Sequence, residues 1–251
     1  MGLNLDAMKA KLDKLNGKGD GKRNMFWRPE DGESNIRIVS TPDGDPFKER
    51  FFHYNVGEAR SFLCPKRNFG DNCPVCDFAN KLWNEGTEES KKQAKDLFAK
   101  QRFFSPVLVR GEEAEGIKVW GYGKMAYEKL LSLVLNPEYG DITDPDQGTD
   151  LVIHYGKPAG ASFPQTKITP RRKSSPLSED SATVAEYLDT VPDFTDLFDR
   201  KSPDQVGALL EEYLSGDESA EERSEETSKY GQADNDTVSD VDAAFNDLLG
   251  S

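Results

Sequence analysis

The chain has 251 residues, 35% of them hydrophobic and 31% charged, with a formal net charge of −14. That apolar share suits one compact core with solvated appendages, and with no run of 18 apolar residues a membrane-spanning helix is excluded. Three cysteines, an odd number, argue against a closed disulfide framework, and the first segment, MGLNLDAMKAKLDKL, is no signal-type apolar stretch, so a soluble cytoplasmic protein is expected.

The acidity is unevenly spread. From Glu211 onward there are 13 acidic and 2 basic residues, a net of −11, which leaves 33 acidic and 30 basic residues, a net of −3, for everything before it. The body of the chain can therefore carry a cationic groove despite the overall charge.

Taken in order, Leu3, Met8, Leu12 and Leu15 predict a short helix among Lys9, Lys11 and Lys14, ending in the Gly-rich basic connector NGKGDGKR. Residues 1–24 read as a basic N-terminal arm, and a compact core is expected over 25–214, with a cysteine-bearing lobe around 50–100. In SNIRIVS the alternation turns Ile36 and Ile38 inward and Arg37 outward, and FKERFFHYNV and RSFLC read as further strands. PVCDFANKLW and residues 87–100 look helical. RFFSPVLVR and GIKVWGY are strands joined by the turn GEEAEG, and MAYEKLLSLVL is a helix burying Tyr127, Leu130, Leu131, Val134 and Leu135. DLVIHYG is a strand, SFPQTKITPRRKSSP a Pro-rich loop, and Ser202-Pro203-Asp204-Gln205 carries the N-cap, N1 proline and N3 glutamine of a last helix. Residues 215–251 form an acidic tail with almost no aliphatic residues over its first part, and disorder is expected there. Its tip places Val241, Phe245, Leu248 and Leu249 at the spacing of a short amphipathic docking motif. The fold class expected is mixed α+β with a mainly β core.

All three cysteines fall within Cys64–Cys76, in the spacing His53-x10-Cys64-x8-Cys73-x2-Cys76. Cys-x2-Cys lets two thiolates converge on one ion while the other ligands arrive from neighbouring strands. One structural zinc ion held by His53, Cys64, Cys73 and Cys76 is the expectation, since four protein ligands leave no open position for a water. A thioredoxin-like redox role would leave two ligand-type residues unexplained, and His154 reads as ordinary packing or surface.

In GIKVWGY, period-two alternation separates Ile117 and Val119 from Lys118, Trp120 and Tyr122. Aromatics beside a lysine on the face away from the core suggest a platform where bases stack and the cation meets phosphate, the alternative being that they are core of a two-sided sheet. Arg102, Phe103 and Phe104 on the neighbouring strand, Lys124, and Lys167, Arg171, Arg172 and Lys173 in the Pro-rich loop extend the candidate nucleic-acid surface.

With zinc spacing, aromatic-basic strands and an acidic tail in this order, the chain resembles the single-stranded DNA-binding (helix-destabilising) proteins of T-even-like phages. The likeness is carried by NCPVC with the upstream His53 and Cys64, and by KVWGYGKMAYEKL; it covers residues 25–210. The resemblance implies an OB-fold barrel with an inserted zinc-binding subdomain and a cleft for single strands between them. It also implies that His53, Cys64, Cys73 and Cys76 hold the zinc. Phe103, Phe104 and Trp120 fall where the family has base-stacking aromatics, and Arg37 falls near a backbone-contacting arginine. The N-terminus departs from the family, with lysines dispersed over Lys9 to Lys22 in place of a compact basic motif.

The function expected is sequence-nonspecific binding of single-stranded DNA in phage DNA replication, recombination and repair, without enzymatic activity. Self-association along the strand would use the N-terminal arm, and replication or recombination proteins would dock on Phe245, Leu248 and Leu249. The competing possibility is a zinc-stabilised protein–protein adaptor whose aromatic strands are interface; a metal-dependent nuclease ranks below both. No GxxxxGK[ST] nucleotide loop is present.

Overall fold

The computed structural model describes residues 25–216 except 195, 196 and 199, so the expected N-terminal arm and acidic tail lie outside the described residues. Eight strands form one sheet: β1 (Phe26–Trp27), β2 (Gly32–Ile38), β3 (Lys48–Val56), β4 (Ala59–Leu63), β5 (Lys100–Val109), β6 (Ile117–Tyr122), β7 (Leu151–Gly156) and β8 (Gln165–Pro170). Among the described residues six α-helices accompany them: α1 (Pro65–Phe69), α2 (Pro74–Glu85), α3 (Glu88–Leu97), α4 (Lys124–Val134), α5 (Ser181–Asp189) and α6 (Pro203–Ser215). No described helix is long and apolar enough to cross a membrane.

The sheet runs β1-β6-β5-β2-β7-β8, and all its pairs are antiparallel except β1 with β6. Strand β5 joins its two parts. Residues 100–104 pair with β3, residues 107–109 pair with β2, and β6 lies along the opposite edge from Phe103 to Leu108. Beyond β3, the β3–β4 hairpin and helices α1, α2 and α3 make a separate lobe, whose core contains Val56, Phe62, Val75, Ala79, Leu82, Ala94 and Leu97.

Helix α6 returns to that lobe. Ser202 and Gln205 form the reciprocal capping box expected from the sequence, and Val206 enters the lobe core. The helix lies against the β3–β4 turn at Gly57, where φ is +57° and a Cβ would stand 2.7 Å from the Leu209 carbonyl oxygen. Only a residue without a side chain admits this close approach.

Period-two alternation sorts β5 onto two faces, with Leu108 packing against Val39, Ile117 and Leu177. Phe103, Val107 and Val109 join Ile36, Ile38, Trp120, Tyr122, Leu130 and Ile153 on one face. Phe104 packs with Phe52, Leu63, Val119, Phe194 and Leu197 on the other. Helix α4 closes the first core through Ala126, Leu130 and Leu133; contrary to expectation, Val134 and Leu135 at its end are exposed. The stretch expected to be a Pro-rich loop contains β8, which pairs with β7 along its whole length, so Lys167 sits on a strand opposite His154. Sequence patterning also missed α5, capped by the Asp180 carboxylate, which accepts from the Ala182 and Thr183 amides.

Phe104 is fully buried, with ring centroids of Phe52 and Phe198 at 5.9 and 4.9 Å. Phe104→Ala should therefore lower unfolding free energy by about 3–5 kcal/mol; a urea midpoint unchanged from wild type would show that the ring is not core.

Candidate functional site

His53 stands in the middle of β3, Cys64 follows β4, and Cys73 and Cys76 bracket the start of α2. The repeated Cys-Pro dipeptide explains the local geometry. Cys64 and Cys73 are the N-caps of α1 and α2, each followed by an N1 proline that cannot donate a backbone hydrogen bond. The Arg67 amide donates to the Cys64 sulfur at 3.4 Å, and Cys76 lies in the first turn of α2.

These four side chains meet in the lobe core. Cys64 Sγ is 3.4 Å from Cys76 Sγ, and His53 Nε2 is 3.3 Å from Cys73 Sγ and 3.5 Å from Cys76 Sγ. All four candidate ligand atoms lie within 4.8 Å of one another, and all four residues are buried. A tetrahedron of thiolates about 2.3 Å from a zinc ion has edges of about 3.8 Å, so the set is the right size. The other imidazole nitrogen, Nδ1, is 2.8 Å from the Leu97 carbonyl oxygen. An Nδ1–H donated there leaves the Nε2 lone pair facing the sulfurs, as a metal ligand requires. Leu97 ends α3 and carried no sequence signal, because its contribution is a backbone carbonyl.

Thiols this close cannot share one protonation state. Hydrogen bonds from Cys73 and Cys76 hold the Cys64 thiol far below its ordinary range, and the bond to Cys64 pushes Cys76 far above it. A divalent cation would take all three as thiolates and remove that conflict. The His53, Cys64, Cys73 and Cys76 group can thus hold a metal ion.

The expected nucleic-acid surface divides differently. The alternation of β6 is as expected, but the Trp120 and Tyr122 side faces the main core: Trp120 is 1% exposed and Tyr122 4%. The Trp27 and Trp120 rings meet edge to face at 6.0 Å, Phe103 stacks on Tyr127 at 3.8 Å, and the Tyr122 hydroxyl is 2.6 Å from the Ser105 hydroxyl. Phe103, Phe104, Trp120 and Tyr122 therefore form no open platform in this conformation, because α4 covers one side of the sheet and Phe194, Leu197 and Phe198 pack on the other. Arg102 is also buried, and burial lowers its pKa. Lys118 is mostly covered and ion-pairs with Glu115 at 3.0 Å.

Arg37 is a second correction. Expected to face outward, it is fully buried, since β2 lies between β5 and β7 and both its faces are covered. Its Nε donates to Asp150 Oδ1 at 2.8 Å, and Arg110 donates to both oxygens of the same carboxylate, at 3.1 and 3.2 Å. Burial pulls the Arg37 pKa down, and Asp150 opposes that pull. The surrounding loop is tight: a Cβ on Gly148 would stand 2.7 Å from an Arg37 terminal nitrogen. Sequence reasoning missed Asp150 and Arg110, since nothing local connects them to a residue so distant in the chain.

The remaining expected cations are open. Lys124, Lys167, Arg171, Arg172 and Lys173 are all exposed, although Arg171 donates to Asn35 Oδ1 at 2.9 and 3.2 Å and Lys124 lies 3.7 Å from Glu128. Phe245, Leu248 and Leu249 lie outside the described residues.

A family model described as gp32 DNA binding protein like matches residues 30–214, which takes in both the main sheet and the cysteine-bearing lobe. No curated protein matches the sequence. The chain belongs to the gp32-like DNA-binding protein family.

Elemental analysis of protein purified without chelators should find one metal ion per chain. Cys76→Ser should lower metal affinity by more than tenfold and reduce thermal stability; full metal content in that variant would exclude the four-ligand site.

Proposed function

We propose that this member of the gp32-like family binds single-stranded DNA without regard to sequence, coating and protecting it in phage replication, recombination and repair, and that it performs no reaction. The observation that carries this is the family match across both lobes. We take the main sheet to be the family's OB-type barrel and the metal to be a structural zinc.

Burial of Phe103, Phe104, Trp120 and Tyr122 bears on mechanism. Stacking on those rings would first require the sheet to open. Binding to the closed conformation therefore draws chiefly on phosphate contacts, for which Lys167, Arg172 and Lys173 are exposed at one end of the sheet. Preference for single strands over duplex shifts the melting equilibrium by mass action and needs no nucleotide hydrolysis. His53, Cys64, Cys73 and Cys76 would act only by holding β3, β4 and α2 together. When bound, zinc would supply coordination energy to the folded lobe.

Residues 1–24 would support self-association along the strand. The acidic tail would compete with DNA for the cationic surface, and its Phe245, Leu248 and Leu249 would recruit replication proteins.

Fluorescence titration with poly-dT should give binding that weakens steeply with salt. Replacing Arg172 and Lys173 by alanine should flatten the slope of log K against log salt by about 0.7 for each phosphate no longer neutralised. No binding at low salt would overturn the proposal in favour of a protein–protein adaptor. Removal of residues after Ser215 should tighten poly-dT binding; an unchanged affinity would show that the tail does not compete.

A further inference from the structure

The chain after β8 leaves the sheet as an arch with two fixed feet. At the first foot, the Arg171 amide donates to the Asp150 carbonyl at 2.9 Å, and the Arg171 guanidinium is tied to Asn35. At the second, the Ser175 and Leu177 amides donate to Gly148 and Pro145 carbonyls at 3.1 and 2.7 Å. Between them Arg172, Lys173 and Ser174 are exposed.

The second foot is also held by side chains. Arg37 donates to the Ser175 carbonyl at 2.7 Å and to its hydroxyl at 2.9 Å, while Arg110 donates to the Pro176 and Leu177 carbonyls at 2.9 and 2.7 Å. Three successive carbonyls of a non-repetitive segment thus find their donors on two guanidiniums. Both guanidiniums bind one carboxylate, Asp150, whose Oδ2 also accepts from the Ser175 hydroxyl at 3.2 Å. Without that shared negative charge, two cations would face each other in a largely covered site.

We propose that Asp150 is a positioning residue for single-strand binding: by holding Arg37 and Arg110 it fixes the 171–177 arch, so that Arg172 and Lys173 meet phosphate already ordered. This rests on the single-stranded DNA reading and assigns part of its surface. A pre-ordered cationic arch avoids the entropy loss that a mobile basic loop incurs on binding. The carboxylate itself touches no nucleic acid.

The test uses the full chain with four variants: Asp150→Asn, Arg172→Ala/Lys173→Ala, the three combined, and Ser175→Ala. Asp150→Asn should weaken binding of a dT oligonucleotide at low salt by about tenfold and speed trypsin cleavage after residues 171–173. The triple variant should bind no more weakly than the Arg172/Lys173 double variant, because Asp150 acts through those two cations. Wild-type affinity in Asp150→Asn, or a full additional loss in the triple variant, would overturn the proposal while leaving DNA binding intact. Absence of binding by the wild type would overturn the functional reading and this assignment with it. If Asp150→Asn does not fold, Ser175→Ala decides, since it removes one hydroxyl and no charge: weaker dT binding with faster cleavage upholds the role, and no change in either refutes it.

Discussion

Strand β5 has no open edge along most of its length and no open face. It is paired on one side by β3 and then β2, on the other by β6, and every residue from Arg102 to Val109 is buried. Whatever occupies those positions must fit one of three hydrophobic clusters or find a buried partner. Phe103 and Phe104 go to opposite cores, and Ser105 reaches the Tyr122 hydroxyl. The same strand carries the cysteine-bearing lobe on its first half and the rest of the sheet on its second. The two parts are therefore joined by continuous main-chain hydrogen bonding rather than by a linker.

The lobe beyond β3 is small, and its cysteines are part of its hydrophobic core as well as candidate ligands. Such a core is short of apolar area, and a metal ion held by the four residues would compensate by converting its affinity into folding free energy. Helix α6 adds Val206 to the same core and seats on the Gly57 turn. The end of the described chain is thereby anchored to the lobe, not to the main sheet.

Polar residues organise the opposite end of the sheet. Asp150, Arg37 and Arg110 replace hydrophobic packing where β2, β5 and β7 meet two irregular segments rich in backbone carbonyls. A guanidinium suits that position because its several N–H groups satisfy separate carbonyls from one buried site. The geometry also explains how an arginine on a strand of alternating pattern comes to be fully covered: the alternation put it opposite Ile36 and Ile38, and a second set of loops closed over that side.

Features set by neighbours in the chain were legible from sequence. The Cys-x2-Cys turn, the candidate ligand group with His53, the capping box at Ser202 and most strands depend on contacts a few residues apart, or on a residue inventory small enough to leave few choices. The parity of β6 was also correct. What patterning could not supply was that both sides of β6 are covered, because an aromatic face reads alike whether a helix covers it or a ligand does. Arg37 shows the same limit, since its partner Asp150 is 113 residues away. Strand β8 was hidden for a related reason: QTKITP is polar, and its pairing to β7 is a property of β7's edge as much as of its own residues. The sequence alone determined the candidate metal-binding group and the family likeness, which are local or compositional. Only the tertiary structure decided which aromatics are core and which cations are exposed, because burial is a relation between segments that no single segment encodes.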